Sequence, residues 1–245
     1  MGLQLTEWHF YLYERHASGV DTPINDDAGV LNVLTADDPS EVTCYSNTSG
    51  TSASNPMTFT DGKVRFYTAD TVTSVDLTGL TAQGHAFFLQ GVTPSTHRIV
   101  IDPTRTIQEL VVPYQVVGAS EAIVDTGFDV LGNMMIRDMW LHVTTLGTGA
   151  VLDIGTSTDS DGFLDGITVD TTGYPAIDTL SEEAGSAHQV GALLASTTGG
   201  NVRKLHKRAN ATSGANIVYI NTTSSSTAGE GYIYIEYRRV PTTGG

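Results

Sequence analysis

Residues 43–67 read TCYSNTSGTSASNPMTFTDGKVRFY, and the order of turn and strand words in this stretch decides the fold class. A strand-like run ends in a Ser/Gly turn, Asn55-Pro56 interrupts the chain, and Asp61-Gly62 separates Met57-Thr58-Phe59 from Val64-Arg65-Phe66. Asp-Gly tolerates the positive φ angles of a type I′ turn, so the two flanking runs are expected to form a hairpin. Proline restricts the residue ahead of it to extended conformations, which marks Asn55 as a turn residue just before a strand.

The rest of the chain agrees with this reading. Among its 245 residues 40% are hydrophobic and only 16% charged, and the balance is rich in Thr, Ser, Gly and Asn. Threonine favours strands, and the others favour turns. Strand patterns are expected at 8–14, 30–34, 41–46, 63–68, 74–77, 84–89, 98–101 and 107–117. Further on they recur at 134–145, 150–155, 166–169, 201–206, 216–221 and 232–239. The best helical segment, 181–195, is interrupted by Gly185 and Gly191, each costing about 1 kcal/mol relative to alanine, which leaves one or two turns at most. Within 134–145, alternation puts Met135, Met139, Leu141 and Val143 on one face, with Arg137 as the exception. Asp138, Trp140, His142 and Thr144 occupy the other face.

Short strands at this spacing give an all-β chain of two β-sandwich domains. The first, 1–118, reads as immunoglobulin-like. The second, 119–245, reads as jelly-roll-like. The division is expected after the apolar run Leu110-Val111-Val112 and Pro113.

Net charge is −15, from 12 Lys+Arg against 27 Asp+Glu; residues 1–118 carry 5 basic and 13 acidic side chains, and residues 119–245 carry 7 and 14. Such a chain repels phosphate, so no nucleic-acid partner is expected. The start, Met1 to Trp8, has no basic stretch followed by an apolar one, and no run is long enough to span a bilayer. The expectation is synthesis in a cytoplasm with no membrane partner. Cys44, the single cysteine, sits in an apolar strand pattern and reads as a buried hydrophobe.

The words of 43–67, together with Leu152-Asp153-Ile154-Gly155-Thr156, the run Asp159 to Gly166 and the closing Gly231-Tyr232-Ile233-Tyr234-Ile235-Glu236-Tyr237, resemble virion proteins of tailed bacteriophages. That resemblance implies a non-catalytic structural protein of the capsid decoration or cement type. It implies a virion location on the capsid surface, the major capsid protein as partner, a homotrimeric assembly and no cofactor. The alternative is a tail, baseplate or short fibre protein that binds host glycans.

Four groups of residues carry potential chemistry. Asp159, Asp161, Asp165 and Asp170 are hard ligands of the type Ca²⁺ needs, yet glycine falls at position four and no helices flank the run, unlike an EF-hand. They are expected to build turns, with no metal bound. The seven histidines show no paired metal spacing, and no nucleophile elbow or phosphate loop occurs. Arg203, Lys204, Lys207 and Arg208 form the one dense basic cluster. They are the candidate protein–protein contact, or else the charges that protect an edge strand. Trp8, Phe10, Tyr11 and Tyr13 place aromatics on both faces of the first strand. One face is expected in the core; the strand is then either buried on both faces, or its other face meets a partner or forms a glycan platform.

Replacing Arg203→Glu together with Lys204→Glu is therefore expected to weaken shell binding, because like charges facing each other cost several kcal/mol at a contact. Thermal stability should hold. Undiminished binding of the double variant to shells, counted by sedimentation, removes the cluster from any contact.

Overall fold

The computed structural model describes residues 4–16, 18–118, 122–131, 134–175, 189–190, 193, 206–207, 215–222 and 227–239. Among them there is no helix, and hence none long and apolar enough to cross a membrane. The chain divides into two compact units, Met1–Leu110 and Val111–Gly245. The division lies before the 118/119 boundary read from the sequence.

The first unit holds β1 (Leu5–Arg15), β2 (Asp21–Pro23), β3 (Val30–Thr35), β4 (Met57–Thr58), β5 (Lys63–Ala69), β6 (Val75–Leu80), β7 (Ala86–Val92) and β8 (Thr96–Ile101). One sheet is built around β1. Strand β5 runs antiparallel to it from Leu5↔Ala69 to Tyr11↔Lys63, and β2 continues the same side at Tyr13↔Pro23 to Arg15↔Asp21. On the other side β8 runs parallel, from His9↔Thr96 to Glu14↔Ile101. The second sheet has the order β4-β3-β6-β7. Alternation sends Trp8, Phe10 and Leu12 inward, where they meet Leu31, Val33 and Leu77 of the other sheet in one core. Phe66 stacks on Trp8 at 5.9 Å and on Phe10 at 5.8 Å. The Trp8 indole N–H donates to Thr68 Oγ1 at 3.0 Å, so its one polar atom is buried with a partner. Each such aromatic contributes roughly 2–3 kcal/mol by leaving water.

Asp61-Gly62 forms the expected tight turn, with φ of 49° and 66°. A Cβ on Gly62 would lie 1.8 Å from the Ile24 carbonyl oxygen, so the turn also needs the missing side chain. Its arms do not continue as a ladder. Thr60↔Lys63 is an isolated bridge, after which β4 pairs with β3 and β5 pairs with β1. The turn thus passes the chain from one sheet to the other. The strand expected at 41–46 is reduced to the bridges Leu34↔Glu41, Tyr45↔Ser52 and Tyr45↔Tyr67.

Side chains do much of the pairing in these connections. Asn55 accepts from Val33 N–H at 3.0 Å and donates to Val33 C=O at 2.7 Å and Val42 C=O at 3.2 Å, which makes it a substitute strand partner for β3. Asp26 is 1% exposed and accepts from the backbone N–H groups of Ala28 (3.0 Å), Gly29 (2.6 Å) and Ala82 (2.9 Å). Asp76, also buried, accepts from Asp37 N–H at 3.0 Å and Gly91 N–H at 2.7 Å. Asp26 thus fastens two loops, and Asp76 fastens the turn at Asp37 to β7.

The second unit holds most of β9 (Ile107–Val116), then β10 (Val124–Val130), β11 (Met134–Thr145), β12 (Val151–Thr156), β13 (Asp159–Thr168), β14 (Gln189–Val190), β15 (His206–Lys207), β16 (Ala215–Asn221) and β17 (Gly229–Arg239). Two sheets result, ordered β15-β11-β17-β9 and β10-β16-β12-β13-β14. Strand β9 pairs with β17, which draws Val111 to Val116 into this unit and accounts for the earlier division. Phe128, Ile136, Met139, Leu141, Ile154, Leu164, Ile217 and Ile235 are buried. Tyr219 of β16 reaches the edge strand β9. Its hydroxyl accepts from Gln115 N–H and donates to Gln115 C=O, both at 3.1 Å, and its ring meets Tyr114 edge-on at 6.2 Å.

Strand β11 matches the expected limits, but its faces need correction. A bulge between Ile136 and Asp138 shifts the register, so Met134 and Ile136 point inward before it, and Met139, Leu141 and Val143 after it. Met135 therefore stands on the outer face, and Arg137 ceases to be an exception. The expected helical segment 181–195 lies largely outside the described residues, and Gln189–Val190 within it is a strand.

Asp26→Ala leaves three backbone donors without their acceptor. The expected loss is about 2–4 kcal/mol, since hydrogen bonds to charged groups are worth roughly 1.5–3 kcal/mol and the Gly29 donor is left buried. The urea midpoint measures it. A change inside the roughly 0.5 kcal/mol of ordinary surface substitutions would show that the loops hold without the clamp.

Candidate functional site

The carboxylates at 159–170 do not form the turn-rich loop expected from their Asp and Gly content. Asp159, Asp161 and Asp165 lie on β13, which pairs with β12 across the two-residue turn Ser157–Thr158. Register shifts between Leu152 and Ile154 and between Ile154 and Thr156 absorb the irregular spacing. Asp170 stands beyond the strand end, exposed, accepting from Thr171 Oγ1 at 3.3 Å. The group that does assemble adds Asp153 of β12, which accepts from Gly166 N–H at 2.9 Å. Burial pushes the Asp153 carboxyl up to about 6, against the Gly166 hydrogen bond, with Asp165 and Asp161 adding repulsion. Burial likewise raises Asp159, which also shares a hydrogen bond with Asp161, and raises Asp165. Among the described residues no group of three or more His, Cys, Asp or Glu side chains is arranged to hold a metal ion.

Of the basic cluster, Arg203, Lys204 and Arg208 lie outside the described residues. Lys207 belongs to β15, whose backbone pairs with β11 at Met135↔Lys207. That strand is the last in its sheet, β15-β11-β17-β9.

Two surfaces not visible in the linear sequence are assembled by strand pairing. The first is the outer face of β1, β5 and β8. Four of the five basic residues of 1–118, namely Arg15, Lys63, Arg65 and Arg98, are exposed on it. Tyr11 is the ladder neighbour of both Lys63 and Arg98. The Arg98 guanidinium lies over the Tyr13 ring, 4.8 Å from its centroid. Glu7 neutralises part of this face. It pairs with Arg65, takes the Tyr67 hydroxyl at 2.6 Å and lies 3.3 Å from His9 Nε2. These contacts, the Tyr67 hydrogen bond foremost, hold its carboxyl below the usual range. Arg15 pairs with Asp21 at 3.1 Å. The expectation that the first strand sends Trp8 and Phe10 to one side and Tyr11 and Tyr13 to the other holds, with only the first pair fully buried.

The second surface is the outer face of β11 and β17. Trp140 stacks on Tyr234 at 5.7 Å, with planes 1° apart, and His142 lies between Tyr174 (4.7 Å) and Tyr232 (6.4 Å). Tyr174 is 65% exposed, and Trp140, His142 and Tyr234 are partly exposed. Carboxylates stand at both ends: Asp138 and Glu236 at one, Glu230 at the other. Glu230 receives Thr145 Oγ1 at 2.9 Å and Gln115 Nε2 at 3.3 Å. A sequence reader sees Trp140-x-His142 and Tyr232-x-Tyr234 separately. Only the register Trp140↔Tyr234, His142↔Tyr232 joins them.

Cys44 is 2% exposed, donates to Val42 C=O at 3.4 Å, and burial pushes its thiol up to about 12, which leaves it protonated and inert as a nucleophile.

The raised Asp153 carboxyl makes stability depend on pH. Its contribution is fully present below the unfolded value near 4 and is lost as pH rises through about 6, where the folded state too must hold the charge. Asp153→Asn keeps an acceptor for Gly166 and removes that charge. The variant is expected to melt several degrees above the parent at about pH 8 and level with it at about pH 4. Equal melting temperatures at both pH values would show that Asp153 is not held uncomfortably. Comparison of the chain with protein-family models, curated proteins and solved structures finds no match.

Proposed function

We propose that this chain is a non-catalytic structural protein of a tailed-bacteriophage virion, which decorates the capsid and stabilises it by bridging neighbouring subunits of the major capsid protein. The observation that carries the reading is the aromatic outer face of β11 and β17. Buried interface centres are enriched in Trp and Tyr and depleted in charge, with a polar rim, and this face has that layout. Trp140, Tyr234, Tyr232 and Tyr174 lie at its centre, and Asp138, Glu236 and Glu230 at its ends.

The winding of the second unit supports the same reading. The chain crosses repeatedly between sheets, with β9, β11, β15 and β17 in one and β10, β12, β13, β14 and β16 in the other, and only β12, β13 and β14 follow one another in the same sheet. We read this as a jelly roll, an architecture shared by viral capsid and lectin domains. The resemblance of 43–67, 152–166 and 231–237 to phage virion proteins supplies the setting. A homotrimer placed where capsid subunits meet is the assembly this reading favours.

Purified protein added to capsid shells lacking it should bind in a fixed stoichiometry by sedimentation. Trp140→Ala with Tyr234→Ala should cut the affinity at least ten-fold, since truncating central aromatics of an interface costs about 2 kcal/mol or more. Failure of the parent protein to bind shells overturns the reading. Full binding by the folded double variant moves the contact to another face.

A further inference from the structure

The outer face of β1, β5 and β8 has properties that capsid decoration does not use. The chain carries a net charge of −15, yet four of the five basic residues in 1–118 share this one sheet face. Lys63, Tyr11 and Arg98 form a row across three adjacent strands. Neither Lys63 nor Arg98 has a carboxylate within ion-pair distance among the described residues. Beside the row lies a groove of about 430 Å³, lined by Lys63 and Arg65 together with the hydroxyl residues Ser46, Ser54, Thr58 and Thr60. Met57 and Ala53 supply apolar surface to the same groove.

We infer that this face and its groove form a binding site for an anionic polysaccharide. Each part of such a ligand has a counterpart. A carboxylate or sulfate meets Lys63, Arg65 and Arg98. Sugar hydroxyls meet the serine and threonine hydroxyls, and the C–H face of a sugar ring packs on Tyr11 or Tyr13. The groove volume falls in the range of roughly 300–1,000 Å³ typical of small-ligand sites. A protein partner fits less well, because interface centres are depleted in lysine, and Lys63 belongs to both the groove and the row. Nucleic acid fits less well again. Duplex DNA packs one charge into about 1.7 Å of axis, so it meets far more repulsion from the rest of this acidic chain than a sparsely charged sugar polymer does.

Glu7 sets the strength of the site. Its pairing with Arg65 occupies one of the cations that line the groove. Glu7→Gln removes the competing carboxylate and should tighten binding, an effect that a merely structural Glu7 would not produce.

The test uses the full chain and needs no capsid, so it stands apart from the decoration reading. Binding is measured to polygalacturonate, to dextran sulfate, to uncharged dextran and to duplex DNA at low salt, with thermal melting as the control for folding. Retention on either acidic polysaccharide is expected, the two arms distinguishing carboxylate from sulfate, with none on dextran and progressive loss as salt rises. Lys63→Gln with Arg98→Gln should weaken binding at least ten-fold, and Glu7→Gln should strengthen it two-fold or more. No retention on either acidic polymer overturns the inference, as does retention that the double variant leaves unchanged or that Glu7→Gln fails to strengthen. DNA binding as tight as polysaccharide binding identifies a general polyanion surface and also overturns it.

Discussion

A strand that supplies one face to a core has no choice about what it supplies to the other. In β1 the period of two places Trp8, Phe10 and Leu12 against the facing sheet, and so His9, Tyr11 and Tyr13 must stand outside. In β11, inward Met139, Leu141 and Val143 force Trp140 and His142 outward. Both candidate surfaces are outward faces of strands whose inward faces build a core. A one-residue slip in either strand would exchange core for surface along its whole length, so the same packing that stabilises each unit fixes the positions of its exposed rings. The bulge at Ile136/Asp138 is the point where β11 departs from strict alternation. With unbroken alternation from Met139, Leu141 and Val143, Met135 and Arg137 would occupy the core side and Met134 and Ile136 would turn outward.

The elements legible in the sequence were those with strong local signals. Strand β11 was read with its limits intact, and the Asp61-Gly62 turn was read with its conformation. What local pattern does not contain is the partner of each strand. The local pattern of the turn implies a hairpin, whereas its two arms enter opposite sheets. Only the end of β13, within the expected 166–169, is legible; its Asp159 to Asp165 part is not, because Asp-Ser-Asp-Gly and Asp-Gly are turn words, and here bulges accommodate them inside a ladder. Strand β10, with Asp125, Gly127 and Asp129 alternating with Thr126, Phe128 and Val130, is hidden by the same turn-forming residues. The outward faces were unreadable on stronger grounds. Lys63 and Arg98 are far apart in sequence and become neighbours of Tyr11 only through one antiparallel and one parallel register.

The acidic composition also divides in a way that counting could not reveal. An excess of carboxylates reads as a solvated surface. Asp26 and Asp76 are instead buried, and each gathers backbone N–H groups from separate segments of the chain. Asp153 is half-buried against one such donor, and burial, with smaller repulsion from Asp165 and Asp161, raises its affinity for a proton. Identical residue types thus serve as loop fasteners in one unit and as mutually repelling neighbours in the other. The difference lies in how many N–H groups each one faces.

The parallel pairing of β1 with β8 places the first and last strands of the first unit side by side, in register from His9↔Thr96 to Glu14↔Ile101. Tension that draws the beginning of β1 and the end of β8 apart runs along this ladder rather than across it. Hydrogen bonds lying nearly perpendicular to a load must fail together, whereas an antiparallel hairpin pulled from its open end gives way one bond at a time. The unit is therefore built to resist stretching between its ends with its whole ladder at once, and it should yield in a single abrupt step.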